Sequence, residues 1–242
     1  YFDSAQIKSN NQLLGKPIPI PYFCIKKQMV DQPDHGKDIL FVICGPSGSG
    51  KGTFMSYAVE HFGDQIIHIP TYTTRDPRPS EVPGKDYNYV SQAAFDELVA
   101  NGGIFEYTRT YGDYCYGSPR SLIKDEHHKH LVVELDYKGM FRVRSVSEHR
   151  VVTVFIMPPD LEVLLQRINK RYKEKNLDSR IATIKEQIQF AWAYDYVIIN
   201  DDWEQYKKDI DSVIRAELLK INGTRYLLDQ KHRADPTLRK SS

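Results

Sequence analysis

An apolar run of strand length stands directly before a glycine-rich segment, and this succession constrains the fold more than any other feature. The run covers residues 39–44, and a helical pattern follows over residues 51–62. The segment that begins after the run fits the pattern G-x-x-x-x-G-K and reads Gly45-Pro46-Ser47-Gly48-Ser49-Gly50-Lys51-Gly52-Thr53. Continuous apolar runs are typical of strands buried on both faces of a parallel sheet. Strand, loop and helix in this order therefore predict a phosphate-binding loop, which we call the phosphate loop (residues 45–53), within an α/β fold.

The residue types of the phosphate loop suit the binding of a nucleoside triphosphate. Glycines let the backbone N–H groups turn toward phosphate oxygens at the start of the helix. Lys51 is expected to neutralise charge on the β- and γ-phosphates. The position after this lysine usually supplies a Ser or Thr hydroxyl to Mg²⁺, but here it is Gly52. We therefore expect Mg²⁺ to be held mainly by phosphates and water, with Thr53 as a candidate ligand.

Strand-like and helical segments alternate along most of the remaining chain. Apolar runs recur at residues 66–69, 131–135, 151–156 and 196–199, and a helical pattern follows each of the last three. This alternation predicts a doubly wound parallel sheet. Residues 70–118 interrupt it, because Thr, Pro, Gly and Tyr dominate there around a single helix. We expect this stretch to form a small α+β insert.

Composition narrows the classes of partner. The 242 residues contain 33 Lys+Arg and 32 Asp+Glu, so no global charge attracts nucleic acid or an anionic membrane. Three scattered cysteines form no C-x-x-C pair, which favours a reducing, cytoplasmic compartment over a secreted disulfide framework. The apolar runs are far shorter than the ~20 residues of a membrane span. Any anion must therefore bind at a local site.

The insert contains a dense motif of arginines, prolines and tyrosines. It reads Thr73-Thr74-Arg75-Asp76-Pro77-Arg78-Pro79-Ser80-Glu81-Val82-Pro83-Gly84-Lys85-Asp86-Tyr87-Asn88-Tyr89-Val90. Arg75 and Arg78 stand beside stiffening prolines and suit a single phosphate, although a solvated basic loop is the alternative for two arginines alone.

Several motifs in one order closely resemble guanylate kinases, over about residues 38–220. The motifs are the arginine segment above, Gly103-Ile104-Phe105-Glu106-Tyr107, Tyr111-Gly112-Asp113-Tyr114-Cys115-Tyr116-Gly117-Ser118 and Val132-Val133-Glu134-Leu135-Asp136-Tyr137-Lys138-Gly139. The resemblance implies a P-loop kinase that transfers the γ-phosphoryl group of ATP to GMP or dGMP with Mg²⁺, giving ADP and GDP.

The resemblance also implies which residues bind GMP. Those that would grip its phosphate are Arg75, Arg78, Tyr87 and Tyr116. Those that would read its base are Glu106, Ser118 and Asp136, with Thr71 at a position where the family often has Ser. Carboxylates suit guanine, because its N1–H and 2-amino groups are donors, whereas adenine presents a lone pair at N1.

A basic segment over about residues 167–180 resembles the mobile helical lid of these kinases. By this resemblance Arg167, Arg171 and Arg180 close onto ATP, although a solvated basic helix is the alternative. Such arginines would compensate charge on the transferring phosphoryl group, and closure would exclude water. Asn200 follows the last strand and resembles the family segment beside the adenine of ATP.

Other functions remain open at the level of sequence. Scaffold domains of the membrane-associated guanylate kinase type bind phosphopeptides without catalysis, but the intact glycines and lysine of the phosphate loop favour an enzyme. Residues 1–37 and 221–242 are expected to be an N-terminal extension and a C-terminal tail, which leaves open a catalytic domain within a longer polypeptide. No protein partner is assigned to them. A kinase for another monophosphate or a sugar phosphate is disfavoured by the carboxylates expected to read the base.

Overall fold

The computed structural model describes residues 38–109, 114–124, 126–160, 162–166 and 177–220. The strands are, in chain order, β1 (Ile39–Cys44), β2 (Ile66–His68), β3 (Thr71–Thr73), β4 (Tyr87–Tyr89), β5 (Ile104–Arg109), β6 (Cys115–Pro119), β7 (His130–Glu134), β8 (Arg150–Met157) and β9 (Tyr196–Ile199). The helices are α1 (Lys51–Phe62), α2 (Gln92–Ala100), α3 (Tyr137–Val146), α4 (Leu177–Gln189) and α5 (Trp203–Leu219). Single 3₁₀ turns cover Arg120–Ile123 and Ala191–Ala193.

Five parallel strands form the core sheet in the order β2-β7-β1-β8-β9. Strand β1 lies at its centre, and each of its six residues is buried, as the continuous apolar run predicts. Phe41 packs on one face with Phe54 of α1 and Ile210 of α5. Val42 packs on the opposite face with Met140 of α3. Helices therefore cover both faces, which confirms the doubly wound α/β architecture.

The order of the strands determines where a ligand can bind. Strands β1 and β7 are neighbours, and Ile43 pairs with Glu134 near the carboxyl end of both strands. The phosphate loop leaves β1 at this edge, and the start of α3 leaves β7 at the same edge. Open α/β sheets bind ligands beyond the carboxyl ends of their strands, so this edge is the expected site.

The insert forms a second sheet, with the strand order β4-β3-β6-β5. Strands β3 and β4 are parallel, whereas β6 is antiparallel to both of its neighbours. Helix α2 contributes Phe95, which packs with Ile104 and Cys115 in a small core of its own. Ser91 caps α2 by accepting a hydrogen bond from Ala94 N–H at 3.2 Å. The small α+β insert predicted from the sequence is therefore present.

Helix α5 begins with a side-chain cap: Asp202 accepts a hydrogen bond from Gln205 N–H at 2.8 Å.

The predicted lid, extension and tail lie wholly or partly outside the described residues. Arg180 belongs to α4, whereas Arg167 and Arg171 lie outside the described residues. The predicted extension and tail also lie outside them. No helix within the described part of the chain is long and apolar enough to cross a bilayer.

Candidate active site

Three glycines of the phosphate loop have backbone conformations that other residues rarely adopt. The φ angles are +141° at Gly45, +82° at Gly48 and +109° at Gly50. A Cβ on Gly45 would lie 2.3 Å from the carbonyl oxygen of Ile156, and one on Gly50 would lie 2.1 Å from Asn200 Nδ2. The loop therefore depends on glycine at these positions both for backbone angle and for space.

Side chains from the end of β9 and from α5 support the phosphate loop. Asn200 Nδ2 donates to Ser49 O at 2.7 Å, and the Tyr206 hydroxyl donates to Gly50 O at 3.1 Å. The family resemblance implies that Asn200 lies beside the adenine of ATP, and this stays a prediction. The structure shows its side-chain amide bound to the loop backbone. The Ser49 hydroxyl is buried and has no hydrogen-bond partner within the described residues. This hydroxyl is a polar group that a phosphate oxygen could satisfy.

Lys51, the first residue of α1, is held by carbonyls and by a carboxylate. Its Nζ donates to Gly45 O at 2.8 Å and to Pro46 O at 2.9 Å, and it lies 3.4 Å from Glu134 Oε1. Sequence reasoning assigned no role to Glu134. The sequence feature that indicates a role for Glu134 is its position directly after an apolar run. An acidic residue there lies at the carboxyl end of a parallel strand, where ligands bind.

Arg75 and Arg78 of the insert converge on Glu81, which sequence reasoning also missed. Arg75 donates to both oxygens of Glu81, at 2.6 and 2.7 Å, and the backbone N–H of Arg78 donates to Oε2 at 2.9 Å. The Tyr89 hydroxyl donates to the same oxygen at 2.7 Å. Burial opposes ionisation of Glu81, but the hydrogen bonds from Arg75, Arg78 and Tyr89 lower its pKa to about 2. The available signal was an acid three residues after Arg78 in the motif.

Tyrosines enclose Arg75. Its guanidinium carbon lies 4.9 Å from the ring centre of Tyr87 and 5.5 Å from that of Tyr89. The rings of Tyr87 and Tyr116 meet edge to face, with centres 5.9 Å apart. The Nε of Arg75 is buried and has no partner among the described residues. The structure therefore brings Tyr87 and Tyr116 close to the cationic guanidinium group of Arg75. The Nε of this group keeps a hydrogen bond that it can donate to an anion.

One negative charge, that of Glu134, acts on both the phosphate loop and the arginine cluster, a name we give to Arg75, Arg78, Tyr87 and Tyr116. The carboxylate of Glu134, followed by burial, raises the pKa of Tyr87 well above its ordinary value. The same carboxylate contacts Lys51. The negative charge of Glu134 therefore acts on both the lysine of the phosphate loop and a tyrosine of the insert.

The two carboxylates expected to read the base both lie close to Gly139. A Cβ on Gly139 would lie 3.2 Å from Glu106 Oε1 and 3.4 Å from Asp136 Oδ1. The Ser118 hydroxyl donates to Glu106 Oε1. Asp136 caps α3, because its Oδ1 accepts from Gly139 N–H at 2.7 Å, and its Oδ2 accepts from the Thr108 hydroxyl at 3.0 Å. Burial raises the pKa of Glu106, and the negative charge of Asp136 adds to this effect.

The positions of the remaining predicted site residues do not test their predicted roles. Thr71 is buried on β3 and pairs with Tyr87 in the insert sheet. Thr53 is exposed on α1, and a Cβ on Gly52 would have open space around it. Among the described residues, no group of three or more His, Cys, Asp or Glu side chains could hold a metal ion. Only the backbone of Arg180 is described, and Arg167 and Arg171 lie outside the described residues. The roles predicted for these three arginines therefore stay predictions.

Comparisons with known proteins agree with this geometry. A family model described as guanylate kinase matches residues 37–217. The guanylate kinase of Wolbachia sp. subsp. Brugia malayi (strain TRS) is 34% identical over 189 residues, which are 76% of this chain and 96% of that protein. The guanylate kinase of Clostridium perfringens (strain SM101 / Type A) is 33% identical over 192 residues, 78% of this chain and 88% of that protein.

A solved structure extends the similarity from sequence to fold. The crystal structure of guanylate kinase from Anaplasma phagocytophilum has a TM-score of 0.63 and 30% sequence identity to this chain. The alignment covers 81% of this chain and 95% of that chain. With the phosphate loop, the arginine cluster and the paired carboxylates in one structure, the chain belongs to the guanylate kinase family.

Proposed function

We propose that this chain is an ATP:GMP phosphotransferase, which transfers the γ-phosphoryl group of ATP to GMP or dGMP and gives ADP and GDP. Family membership and relatives named guanylate kinase over most of the chain support this reaction. The roles of individual site residues are proposed from the geometry and from the resemblance of their motifs.

The observation that carries the proposal is the position of the segment that leaves β7. Glu134 ends this strand and lies 3.4 Å from Lys51 of the phosphate loop. Two residues later, Asp136 accepts a hydrogen bond from Thr108 of the insert. One short segment therefore touches both the proposed ATP site and the proposed GMP site. This arrangement supports the transfer of a group between two nucleotides bound on either side of it.

The proposed transfer needs charge compensation more than proton abstraction. The attacking phosphate oxygen of GMP is already anionic, so no general base is required. Lys51 and the backbone N–H groups of the phosphate loop would neutralise the phosphates of ATP. Arg75 and Arg78, with the Tyr87 and Tyr116 hydroxyls, would hold the acceptor phosphate in line. Arg180 is a proposed lid residue that, like Arg167 and Arg171, would neutralise charge and exclude water.

Selection of guanine would rest on the two carboxylates beside Gly139. Glu106 and Asp136 accept hydrogen bonds when ionised, and guanine offers the N1–H and 2-amino donors. Adenine would present a lone pair to the same oxygens and leave buried groups unpaired. A site built on polar pairs of this kind can discriminate by ~10⁴ or more. Ser118 is proposed to orient Glu106, and Thr71 to line the same site.

The residues present fit Mg²⁺ bound largely through the nucleotide. Glu134 supplies a carboxylate oxygen beside the phosphate loop, and Mg²⁺ keeps several waters and prefers oxygen ligands. Gly52 offers no hydroxyl, so we propose that Glu134, Thr53 and the phosphates of ATP hold the ion. When bound, Mg²⁺ would neutralise charge on the transferring phosphoryl group.

We also propose the limits and the location of the domain. The kinase domain would extend over residues 38–220, between an N-terminal extension and a C-terminal tail; the family model's match to residues 37–217 supports these limits. A cytoplasmic location is proposed from cysteine usage. Cys44 and Cys115 are buried free thiols in the described structure, which is compatible with a reducing compartment.

A panel of acceptors tests the proposed reaction. ADP formation from ATP and Mg²⁺ would be measured with GMP, dGMP, AMP, CMP and UMP as separate acceptors. We expect turnover with GMP and dGMP at rates far above those with the other three. Tight binding of GMP without any ADP formation would contradict the proposed activity and would indicate a non-catalytic binding domain instead. Turnover with AMP equal to that with GMP would overturn the proposed specificity.

A further inference from the structure

The Asp136 carboxylate is held from two sides, by two different parts of the fold. Its Oδ1 accepts from Gly139 N–H in the first turn of α3, at 2.7 Å. Its Oδ2 accepts from the hydroxyl of Thr108 on β5 of the insert, at 3.0 Å. The motifs of the chain assign a role to Asp136 and none to Thr108.

We propose that Thr108 is a positioning residue, which orients the Asp136 carboxylate toward the base and thereby sets a preference for purines that carry a 2-amino group. This inference rests on the proposed function, because it assumes that Asp136 lies at the base of the acceptor nucleotide.

The pairing of the insert strands places Thr108 on the face that carries the acceptor residues. Glu106 and Thr108 are two residues apart on β5, so their side chains share one face of the sheet. Glu106 pairs with Ser118 on β6, and Thr108 pairs with Tyr116. Both partners on β6 belong to the proposed GMP site. The Thr108 side chain therefore lies on the face of the sheet that lines the proposed GMP site, where its hydroxyl donates to Asp136.

The hydrogen bond from Thr108 also fixes what this wall of the site can offer a ligand. A hydroxyl that donates its one proton to Asp136 can only accept from another group. The ionised carboxylates of Asp136 and Glu106 likewise only accept. Guanine meets such a wall with its N1–H and its 2-amino group, whereas hypoxanthine offers N1–H alone. A base without the 2-amino group leaves an acceptor unpaired, and an unpaired buried polar group is costly.

Removal of the Thr108 hydroxyl would leave Asp136 with the single anchor at Gly139 N–H. The carboxylate could then turn its second oxygen toward water and lose part of its demand for the 2-amino group. The effect should be specific to guanine, because a base that makes no contact through this group gains nothing from a fixed Asp136.

Binding of GMP and of IMP, which differ by the 2-amino group, tests the inference. Kd would be measured by titration calorimetry for the wild type, Thr108→Val and Thr108→Ser, with kcat/KM for both nucleotides where turnover occurs. We expect Thr108→Val to lower the preference for GMP over IMP by about tenfold, mainly through weaker GMP binding. Thr108→Ser keeps the hydroxyl and should restore the preference.

A control variant separates positioning from a general loss of structure. Ser91→Ala removes a hydroxyl hydrogen bond from the same insert, at the start of α2, and should change GMP and IMP binding equally. Thermal unfolding of each variant checks that it is folded at the assay temperature. An unchanged ratio of the two Kd values in Thr108→Val would overturn the inference. A wild type that binds GMP selectively but forms no ADP would overturn the proposed reaction alone, and one that does not bind GMP would overturn both.

Discussion

The guanidinium group of Arg75 and the carboxylate of Glu81 meet in a two-point contact within the insert, with N–O distances of 2.6 and 2.7 Å. Both side chains are largely buried, at 8% and 13% exposure. Two parallel hydrogen bonds fix the plane of the guanidinium as well as its position. The orientation of the arginine proposed to grip the GMP phosphate is therefore set by another residue of the protein.

Glu81→Gln tests this contact through stability. Loss of the negative charge leaves Arg75 buried without its counter-charge, so we expect the free energy of unfolding to fall by about 1–3 kcal/mol. Denaturant unfolding measures the change. Glu148→Gln is the matched control, because Glu148 pairs with Lys124 where both side chains are more than 40% exposed, and it should cost at most about 1 kcal/mol. Equal losses in the two variants would contradict the structural role of Glu81.

The contact between Arg75 and Glu81 also predicts how the free energy of unfolding changes with pH. The pKa of Glu81 in the folded chain is about 2, below its ordinary value of 4.5. Stabilisation by Glu81 is therefore complete above pH 4.5 and is lost as the pH falls from there toward 2. The difference in unfolding free energy between wild type and Glu81→Gln should shrink on acidification across this window. A difference that stays constant there would show that Glu81 keeps an ordinary pKa.

Substitutions at Gly50 and Gly52 should differ sharply in stability, although the two residues are separated only by Lys51. Gly50→Ala would place a Cβ 2.1 Å from Asn200 Nδ2 at a φ of +109°, so we expect a loss of at least about 2 kcal/mol. Gly52→Ala meets nothing within 4 Å, and it should leave stability unchanged or raise it by up to about 1 kcal/mol. Thermal unfolding of both variants checks the pair. Equal destabilisation would mean that the loop backbone differs from the one described.

Lys51→Ala should separate catalysis from acceptor binding. We expect kcat to fall by at least about 10²–10³-fold, because charge compensation at the phosphates of ATP is lost. The Kd of GMP should be nearly unchanged, since the acceptor residues lie in the insert and at the start of α3. Steady-state rates and calorimetric titration with GMP measure the two quantities. Substantial residual turnover would contradict the assignment of Lys51.

Glu106→Gln should weaken the choice of base. An amide presents a donor as well as an acceptor, so the site no longer offers acceptors alone to N1–H and the 2-amino group. We expect the ratio of kcat/KM for GMP over AMP to fall by about tenfold or more. A ratio equal to that of the wild type would remove Glu106 from the base site.

The phosphate loop and the core sheet were predictable because their signals are local. A buried strand, three glycines, a lysine and a helix follow one another without interruption, and the order of these residue types already specifies the loop. The small α+β insert could also be predicted, because residues 70–118 break the alternation of strands and helices. These predictions needed no knowledge of which strands are neighbours.

The partners of the predicted residues could not be obtained in the same way. Glu134 contacts Lys51 only because β7 lies beside β1. The residues of the two strands do not by themselves predict that the strands are neighbours. Glu81 meets Arg75 because the chain turns between Arg78 and Glu81, where Glu81 N–H donates to Arg78 O at 3.0 Å. Thr108 reaches Asp136 because the insert sheet packs against the start of α3. Motifs name residues that bind ligands, whereas the residues that orient them depend on tertiary contacts.

The fate of the γ-phosphoryl group tests the central claim most directly. ATP labelled with ¹⁸O in its γ-phosphoryl group would be incubated with GMP, Mg²⁺ and the protein, and the products identified by mass spectrometry. The account predicts GDP that carries the label in its terminal phosphoryl group, formed in equal amount with ADP. Label found only in inorganic phosphate, or GMP recovered unchanged while ATP is consumed, would contradict it.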